Sequence, residues 1–210
     1  MRVTSETPIY RITHMSNVPW ILNHGLHAQS MGLRDPAFIP IGDPDLIEKR
    51  RHRVVVVDPG GTLDDYVTFY FGVHSVMLYA IHTRRVLGVA VTQRDVVYLV
   101  SSVERVRDAG ARFVFTDRHA YVANAEFFSD LAELKTLDWA RIRGRDFRRD
   151  PNRPDKLERR AAEFLVHRYL PVSGLIGFGC YDDAVCARIR AEVDQRGLDL
   201  RAESRRAWYF

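Results

Sequence analysis

A chain of 210 residues, 46% apolar and 28% charged, suffices for one compact domain with a buried core, or one domain carrying a functional insertion. Lys and Arg number 31 against 27 Asp and Glu, and a net charge of +4 does not by itself mark a nucleic-acid binder, although the prominence of arginine leans towards anionic partners. Cys180 and Cys186 match no zinc or redox spacing and argue against a secreted disulfide scaffold, while no segment nears the roughly 18 apolar residues of a membrane span and the first residues lack an apolar signal core, so the expected compartment is cytoplasmic.

In chain order, Ile9 to His14 alternates as a strand does, and Ser16 is placed to cap a helix through Trp20, Ile21 and Leu22 that stops at Gly25. Residues 28–43 read as loop. Asp45 to His52 predicts a short basic helix, and Val54 to Val57 a buried strand before the turn-rich Asp58-Pro59-Gly60-Gly61. Val67 to Phe71 is an aromatic, β-branched strand, followed by a short turn around Ser75 to Tyr79. Val96 to Val100 predicts another strand, after which Ser101 or Ser102 caps a charged helix ending at Gly110. Phe113 to Thr116 is a strand. From 117 to 155 the periodicity weakens, with one helix expected over roughly Asn124 to Leu134 and then a basic, irregular run. So long a connection inside a compact domain is usually functional. A basic, helix-like approach from Lys156 ends at Ala161 and Ala162, and Glu163 opens the apolar strand Phe164-Leu165-Val166, with Pro171 closing the segment. Leu175 to Gly179 is a further strand. Asp182 caps a helix from Ala184 to Gln195, with Val185, Ile189 and Val193 on one face, and Gly197 stops it. The bulk of Trp208-Tyr209-Phe210 predicts a final strand. Strands and helices mix without regular βαβ alternation, which argues an α+β fold.

Several common chemistries fail on motif. Gly60-Gly61-Thr62 lacks the lysine and spacing of a phosphate loop, and Gly177-x-Gly179 lacks the third glycine of a dinucleotide fingerprint. There is no Gly-x-Ser-x-Gly, and the histidines have no zinc spacing. What remains is His14, Arg50-Arg51, Tyr70, His119 and Glu163. Singly, each has a plainer reading: a satisfied core histidine, a solvated helix face, a core tyrosine, an exposed Arg118-His119 pair, an ion-paired glutamate at a strand end. They acquire chemical meaning only as one set.

Ile12-Thr13-His14 with Asn17 and Gly25-Leu26, Gly60-Gly61-Thr62-Leu63-Asp64-Asp65-Tyr66-Val67-x-Phe69-Tyr70-Phe71, Met77-Leu78-Tyr79, Asp117-Arg118-His119-Ala120, Asp138-Trp139, Ala162-Glu163-Phe164-Leu165-Val166 and Trp208-Tyr209-Phe210 together resemble the DarT family. These are the DNA ADP-ribosyltransferase toxins of the DarTG toxin–antitoxin systems. The likeness runs from about residue 8 to the last residue, and the strings around Gly60 and Glu163 are its specific parts. It implies an ADP-ribosyltransferase fold: a small split β-sheet core with flanking helices, NAD+ in the central cleft, and no metal. The single domain would span residues 1–210, with a substrate-recognition loop over 117–160 inserted before the catalytic strand. By this resemblance Glu163 is the catalytic glutamate and Arg51 the catalytic arginine, with Arg50 the neighbouring alternative. NAD+ contacts would come from Thr13, His14, Met15, Asn17, Gly25, Arg51, Tyr70, Phe71, Ser75 and Tyr79, with Tyr70 packed on the nicotinamide. DNA contacts would come from Arg118, His119, Arg148, Arg149, Arg153 and Lys156. The implied partners are single-stranded DNA and a macrodomain antitoxin of the DarG kind. Two departures flank the site. Gly72-Val73-His74-Ser75-Val76 replaces a Pro-Arg-Ser-Pro-like run, and Arg118 stands where the family string has glycine. Both bear on the preferred base context more than on the reaction.

Cleaving nicotinamide from the ribose passes through an oxocarbenium-like state. A carboxylate accepting from the ribose 2′-OH supports that charge, and a strand holds it more rigidly than a loop. Thymine, the family's usual acceptor, is a weak nucleophile at its ring nitrogen, so a permanently charged arginine would favour its anion, and a histidine could position the base or relay its proton. Residues 141–160 carry nine cations and four anions, a local excess larger than that of the whole chain, interleaved near Trp139 and Phe147. Phosphate contacts with base stacking are what single-stranded nucleic acid binding requires, and a solvated, salt-bridged surface is the alternative. The competing functions are the same chemistry on guanine, RNA or protein, and a non-enzymatic nucleic-acid-binding module.

Overall fold

Two antiparallel half-sheets meet at one residue pair, and the seam between them positions everything that follows. The computed structural model describes residues 7–86, 90–148 and 150–210. In the first half, β1 (Pro8–His14) pairs along its whole length with β4 (Val96–Ser102), from Pro8↔Ser102 to His14↔Val96. β4 continues to β9 (Gly177–Cys180), and β10 (Arg201–Ser204) adds in parallel at the edge. In the second half, β3 (Tyr66–Tyr70) pairs with β7 (Glu163–His167), β7 with β5 (Phe113–Thr116), and β5 with the short β6 (Phe127–Phe128). β1 and β3 are joined only at Tyr10↔Tyr70. The sheet is therefore one of eight strands, larger than the small core expected, and it is split. A separate ribbon, β2 (Leu26–His27) with β8 (Tyr169–Leu170), lies beside it.

The two faces are covered unequally. One carries the main core, where Ile9, Val97, Leu99, Phe69, Phe115, Phe164 and Val166 meet α1 (Val18–His24), α4 (Val103–Asp108) and the amphipathic α7 (Asp183–Asp194). The other carries two smaller clusters. Ile12, Tyr98 and Tyr209 pack with Leu78 and Ile81 on one side of the seam. Val55, Leu63, Tyr66, Val114 and Leu165 pack on the other side. Side chains directly opposite on an antiparallel ladder share a face. Thr68, Tyr70 and Glu163 thus stand on this second face, between the two clusters, where no apolar layer covers the sheet.

Several caps hold as expected. Ser102 Oγ accepts from Arg105 N at 3.1 Å, Asp182 Oδ1 accepts from Val185 N at 2.9 Å, and Gly25, Gly110 and Gly197 follow their helices with positive φ. Five expectations are corrected. Ser16 does not cap α1: its N–H donates to His14 Nδ1 and the helix opens through a 3-10 turn, Met15–Asn17. Val54 to Val57 is no buried strand, since Val54 and Val56 are 56% and 77% exposed, and only Val55 is buried, with Val57 packed against the same cluster. The Gly60-Gly61 turn folds the chain back on itself, and the segment finds a single bridge, Val54↔Thr62, in place of a sheet neighbour. The turn at Ser75 to Tyr79 is the helix α3 (Val76–His82), with Ser75 Oγ accepting from Leu78 N. The helix expected over 124–134 gives way to β6 and a 3-10 segment, Leu131–Thr136, because the open edge of β5 pairs with Phe127 and Phe128. The terminal aromatics form no strand: β10 lies earlier, and a 3-10 turn, Arg206–Trp208, turns Trp208 and Tyr209 onto Tyr98.

Candidate active site

Glu163 opens β7 opposite Tyr70 and is fully buried. A buried carboxylate requires a partner of opposite charge and hydrogen bonds. α2 (Pro44–Arg51) supplies both through Arg50: Nη1 donates to Glu163 Oε1 at 2.8 Å and Nη2 to Oε2 at 2.7 Å, a bidentate fork. Ala120 N lies 3.5 Å from Oε1, and His119 Nε2 lies 3.6 Å from the same oxygen. Burial alone would raise the Glu163 carboxyl, but Arg50 and His119 overcome it and hold the group below the ordinary carboxylate range. Burial pushes the His119 imidazole down, against the pull of Glu163. His119 Nδ1 accepts from Tyr121 N at 3.3 Å, so the neutral ring carries its proton on Nε2, on the side of Glu163. Tyr70 is pushed up to about 12 by burial and by Glu163, so its phenol stays protonated.

The helix that delivers Arg50 is held at its start by Asp43, whose Oδ1 accepts from Asp45 N at 3.0 Å and Leu46 N at 3.2 Å. α2 buries no side chain completely. Arg51, one residue further round the helix, points elsewhere. Its guanidinium pairs with Glu48 at 2.9 Å and lies 3.7 Å from Asp64, and its side chain is 41% exposed. The arginine that meets the carboxylate in this structure is Arg50, the neighbouring alternative, while Arg51 stands one position round the helix.

The structure distributes the other expected residues unevenly. His14 stands at the end of β1, partly exposed, with its pKa lowered by burial. Asn17 is a clamp: Nδ2 donates to Thr13 Oγ1 at 3.1 Å and to Ile39 O at 2.9 Å, while Oδ1 accepts from Ile39 N at 2.9 Å. It thereby pins the loop over 28–43 to the end of β1. Met15 and Phe71 lie in the main core, Phe71 against Phe115, Trp139 and Phe164, on the far side of the sheet from Glu163. Gly25 has φ 78° and meets β8 closely, where a Cβ would lie 2.7 Å from Leu170 O. The Ser75 hydroxyl is engaged as a helix cap. Tyr79 stacks on Phe147 at 4.5 Å, which brings the segment over 117–160 against α3. Arg118 is buried and paired with Asp117 at 2.8 Å, with Glu158 at 4.0 Å, so it ties the start of the loop to its end. Lys156 Nζ donates to Asp146 Oδ2 at 2.8 Å and to Arg148 O at 2.9 Å, and Arg148 pairs with Asp146 at 3.1 Å. Arg153 is exposed, and Arg149 lies outside the described residues. Arg141, Arg145, Arg153, Lys156 and Arg160 line a cleft of about 400 Å³ with Asp138, Asp146 and Asp150 among them. Sequence reasoning passed over Arg11, a charge in the middle of a central strand, and Thr68; the alternating strand pattern gave a cation in β1 no role. Among the described residues, no group of three or more His, Cys, Asp or Glu is placed to hold a metal ion, and no helix is long and apolar enough to cross a membrane.

The site is thus a buried glutamate opening a strand of a split sheet, forked by an arginine and flanked by a histidine, an arrangement in keeping with the ADP-ribosyltransferase fold the resemblance implied. The comparisons show the class and the family. The family model "ssDNA thymidine ADP-ribosyltransferase, DarT" matches residues 10–210. A DNA ADP-ribosyl transferase of Escherichia coli O127:H6 is 41% identical over 96% of this chain and 93% of that protein. The solved structure of Thermus sp. 2.9 DarT with ADP-ribosylated single-stranded DNA superposes with a TM-score of 0.91 at 35% identity, covering 100% of this chain and 99% of that one. The same Thermus protein in complex with NAD+ gives a TM-score of 0.88 at 35% identity, with each chain covered in full. The chain belongs to the DarT family, and it is an NAD+-dependent DNA ADP-ribosyltransferase of the α+β fold.

Proposed function

We propose that Glu163, Arg50 and His119 carry the transfer of ADP-ribose from NAD+ to a thymine base of single-stranded DNA. The supporting observation is the buried Arg50–Glu163 fork at the seam of the sheet. Glu163 stays ionised there, and a carboxylate accepts more hydrogen bonds than the two Arg50 donates. The spare capacity takes the ribose 2′-OH and supports the positive charge that develops as the nicotinamide bond breaks. Tyr70 packs beside the nicotinamide, a role supported by its protonated phenol and its position opposite Glu163 on the ladder. Arg50, always charged, favours the thymine anion over the neutral ring. His119, with its proton on Nε2, donates to the base and positions it; with Nδ1 engaged by Tyr121 it does not relay a proton.

The loop over 117–160 carries the DNA, with Arg153 and the cationic lining of its cleft as the phosphate contacts. Arg118 holds the loop closed and leaves strand contact to its neighbours. The whole chain acts as one domain, a cytoplasmic toxin countered by a macrodomain antitoxin that removes the modification.

Labelled NAD+ and a short thymine-containing oligonucleotide test the reading. Glu163→Gln should lower transfer by about 10²–10³-fold, the scale of removing one preorganised electrostatic contact, in a protein that still folds. Full transfer by that variant would remove Glu163 from the reaction. Oligonucleotides of single base composition, and RNA of the same sequence, separate thymine from the other acceptors.

A further inference from the structure

Thr68 engages two arginines with its two oxygens. Its Oγ1 accepts from Arg50 Nη2 at 3.1 Å, and its main-chain oxygen accepts from Arg11 Nη1 at 2.9 Å. Both bonds lie at the seam. β1 and β3 share only Tyr10↔Tyr70, so two residues along β3 the Thr68 carbonyl faces β1 with no ladder partner. A main-chain acceptor left that way must be satisfied by something. Arg11, on β1, reaches across and satisfies it.

Arg50 poses a different problem. It hangs by a long side chain from a helix that buries nothing completely. The fork to Glu163 sets the two groups relative to each other, but the pair can still swing together about their own torsions. A third bond to an atom fixed in the sheet removes that freedom. Thr68 is suited to supply it, because a β-branched side chain has a restricted χ1 and β3 is a central strand. We propose that Thr68 is a positioning residue for transfer. It holds the Arg50 guanidinium in plane with the Glu163 carboxylate, and Arg11 holds Thr68 across the seam. When a Glu163 oxygen turns to the ribose hydroxyl, the bond to Thr68 keeps Arg50 in place. Burial presses the Arg11 guanidinium towards a lower pKa, as expected of a cation whose one hydrogen bond at the seam goes to a neutral carbonyl.

This inference rests on the proposed roles of Glu163 and Arg50, and the test separates the two. Thr68→Val keeps size and branching and removes the acceptor; Thr68→Ser keeps the acceptor. With NAD+ and a thymine oligonucleotide, Thr68→Val should lower kcat about tenfold, the scale of one hydrogen bond to a charged group, with KM for NAD+ and Tm little changed. Thr68→Ser should restore kcat to within about twofold of the parent on the same scale. If Thr68→Val fails to fold, Thr68→Ala removes the hydroxyl without adding volume and is read the same way. A parental kcat in the Val or Ala variant overturns the proposal, and so does a Ser variant as slow as Val. Glu163→Gln is run alongside. If it retains transfer, the site reading falls; if it is inactive while Thr68→Val is unaffected, only the role of Thr68 falls.

Discussion

Two adjacent arginines, Arg50 and Arg51, have opposite fates. Neighbouring helical residues point about 100° apart, so only one can face the carboxylate. Arg50 is forked to Glu163, whereas Arg51 joins Glu48 on the surface. Arg50→Lys replaces a planar fork by a point charge and should reduce transfer at least 10²-fold, a loss on the scale of an electrostatic catalytic contact. Arg51→Lys changes an exposed pair worth about 0–1 kcal/mol and should leave transfer within a few-fold. The inverse result in the same oligonucleotide assay would return the role to Arg51. The sequence offered Glu163 as a lone carboxylate opening an apolar strand, with an ion-paired strand end as its plainer reading, and the family string gave it a role. It left the choice between the arginines open for a physical reason. α2 has no apolar stripe, and without one the pattern cannot say which side of the helix faces inward.

At the scale of elements, legibility followed local signals. β1, β4, α4 and α7 carried alternation or apolar periodicity with caps at Ser102 and Asp182, and they lie close to where expected. Val54 to Val57 misled because β-branched residues fit a strand only where a neighbour exists to pair with, and here only one bridge forms. Phe127 and Phe128 joined β5, a long-range partner that no local pattern reports. The departure at Gly72-Val73-His74-Ser75 now has a structural account. A Cβ at Gly72 would overlap the carbonyl oxygen of Ile142, on α5 (Trp139–Arg143). Gly72 thus lets α5 sit directly on the exit of β3. Gly72→Ala should cost about 1–3 kcal/mol in denaturant unfolding, the range for overpacking, and should lower DNA affinity more than NAD+ affinity. Unchanged stability would mean that α5 yields freely.

At the scale of the molecule, two small apolar clusters flank the seam of a split sheet and do not merge across it. No sequence pattern located that seam, since strand order is set by long-range pairing; the family resemblance supplied it. The same layout gives stability a pH dependence. His74 is 7% exposed and packs against Phe210. Burial, with Arg145 and Arg160 nearby, pushes its imidazole down to about 4. An unfolded histidine titrates near 6.5, so folding favours the neutral ring. Its contribution to stability is complete above about pH 6.5 and is lost progressively as pH falls towards 4. His74→Leu should flatten Tm against pH in that window; an unaltered slope would assign the titration to other groups.

The Arg50–Glu163 ion pair, to which the proposed reaction assigns the chemistry, also ties α2 to the sheet. Any ligand that draws a Glu163 oxygen from Arg50 also loosens the fastening of the helix. By reciprocity, if NAD+ draws on Glu163 as proposed and so loosens α2, a ligand that steadies α2 weakens NAD+ binding by the factor by which NAD+ weakens that ligand's own. In the proposed reaction the carboxylate is therefore a shared tether, and substrate occupancy and local order of α2 are linked. The Arg50→Lys variant reports on both, since amide exchange across Pro44–Arg51 should quicken as transfer slows.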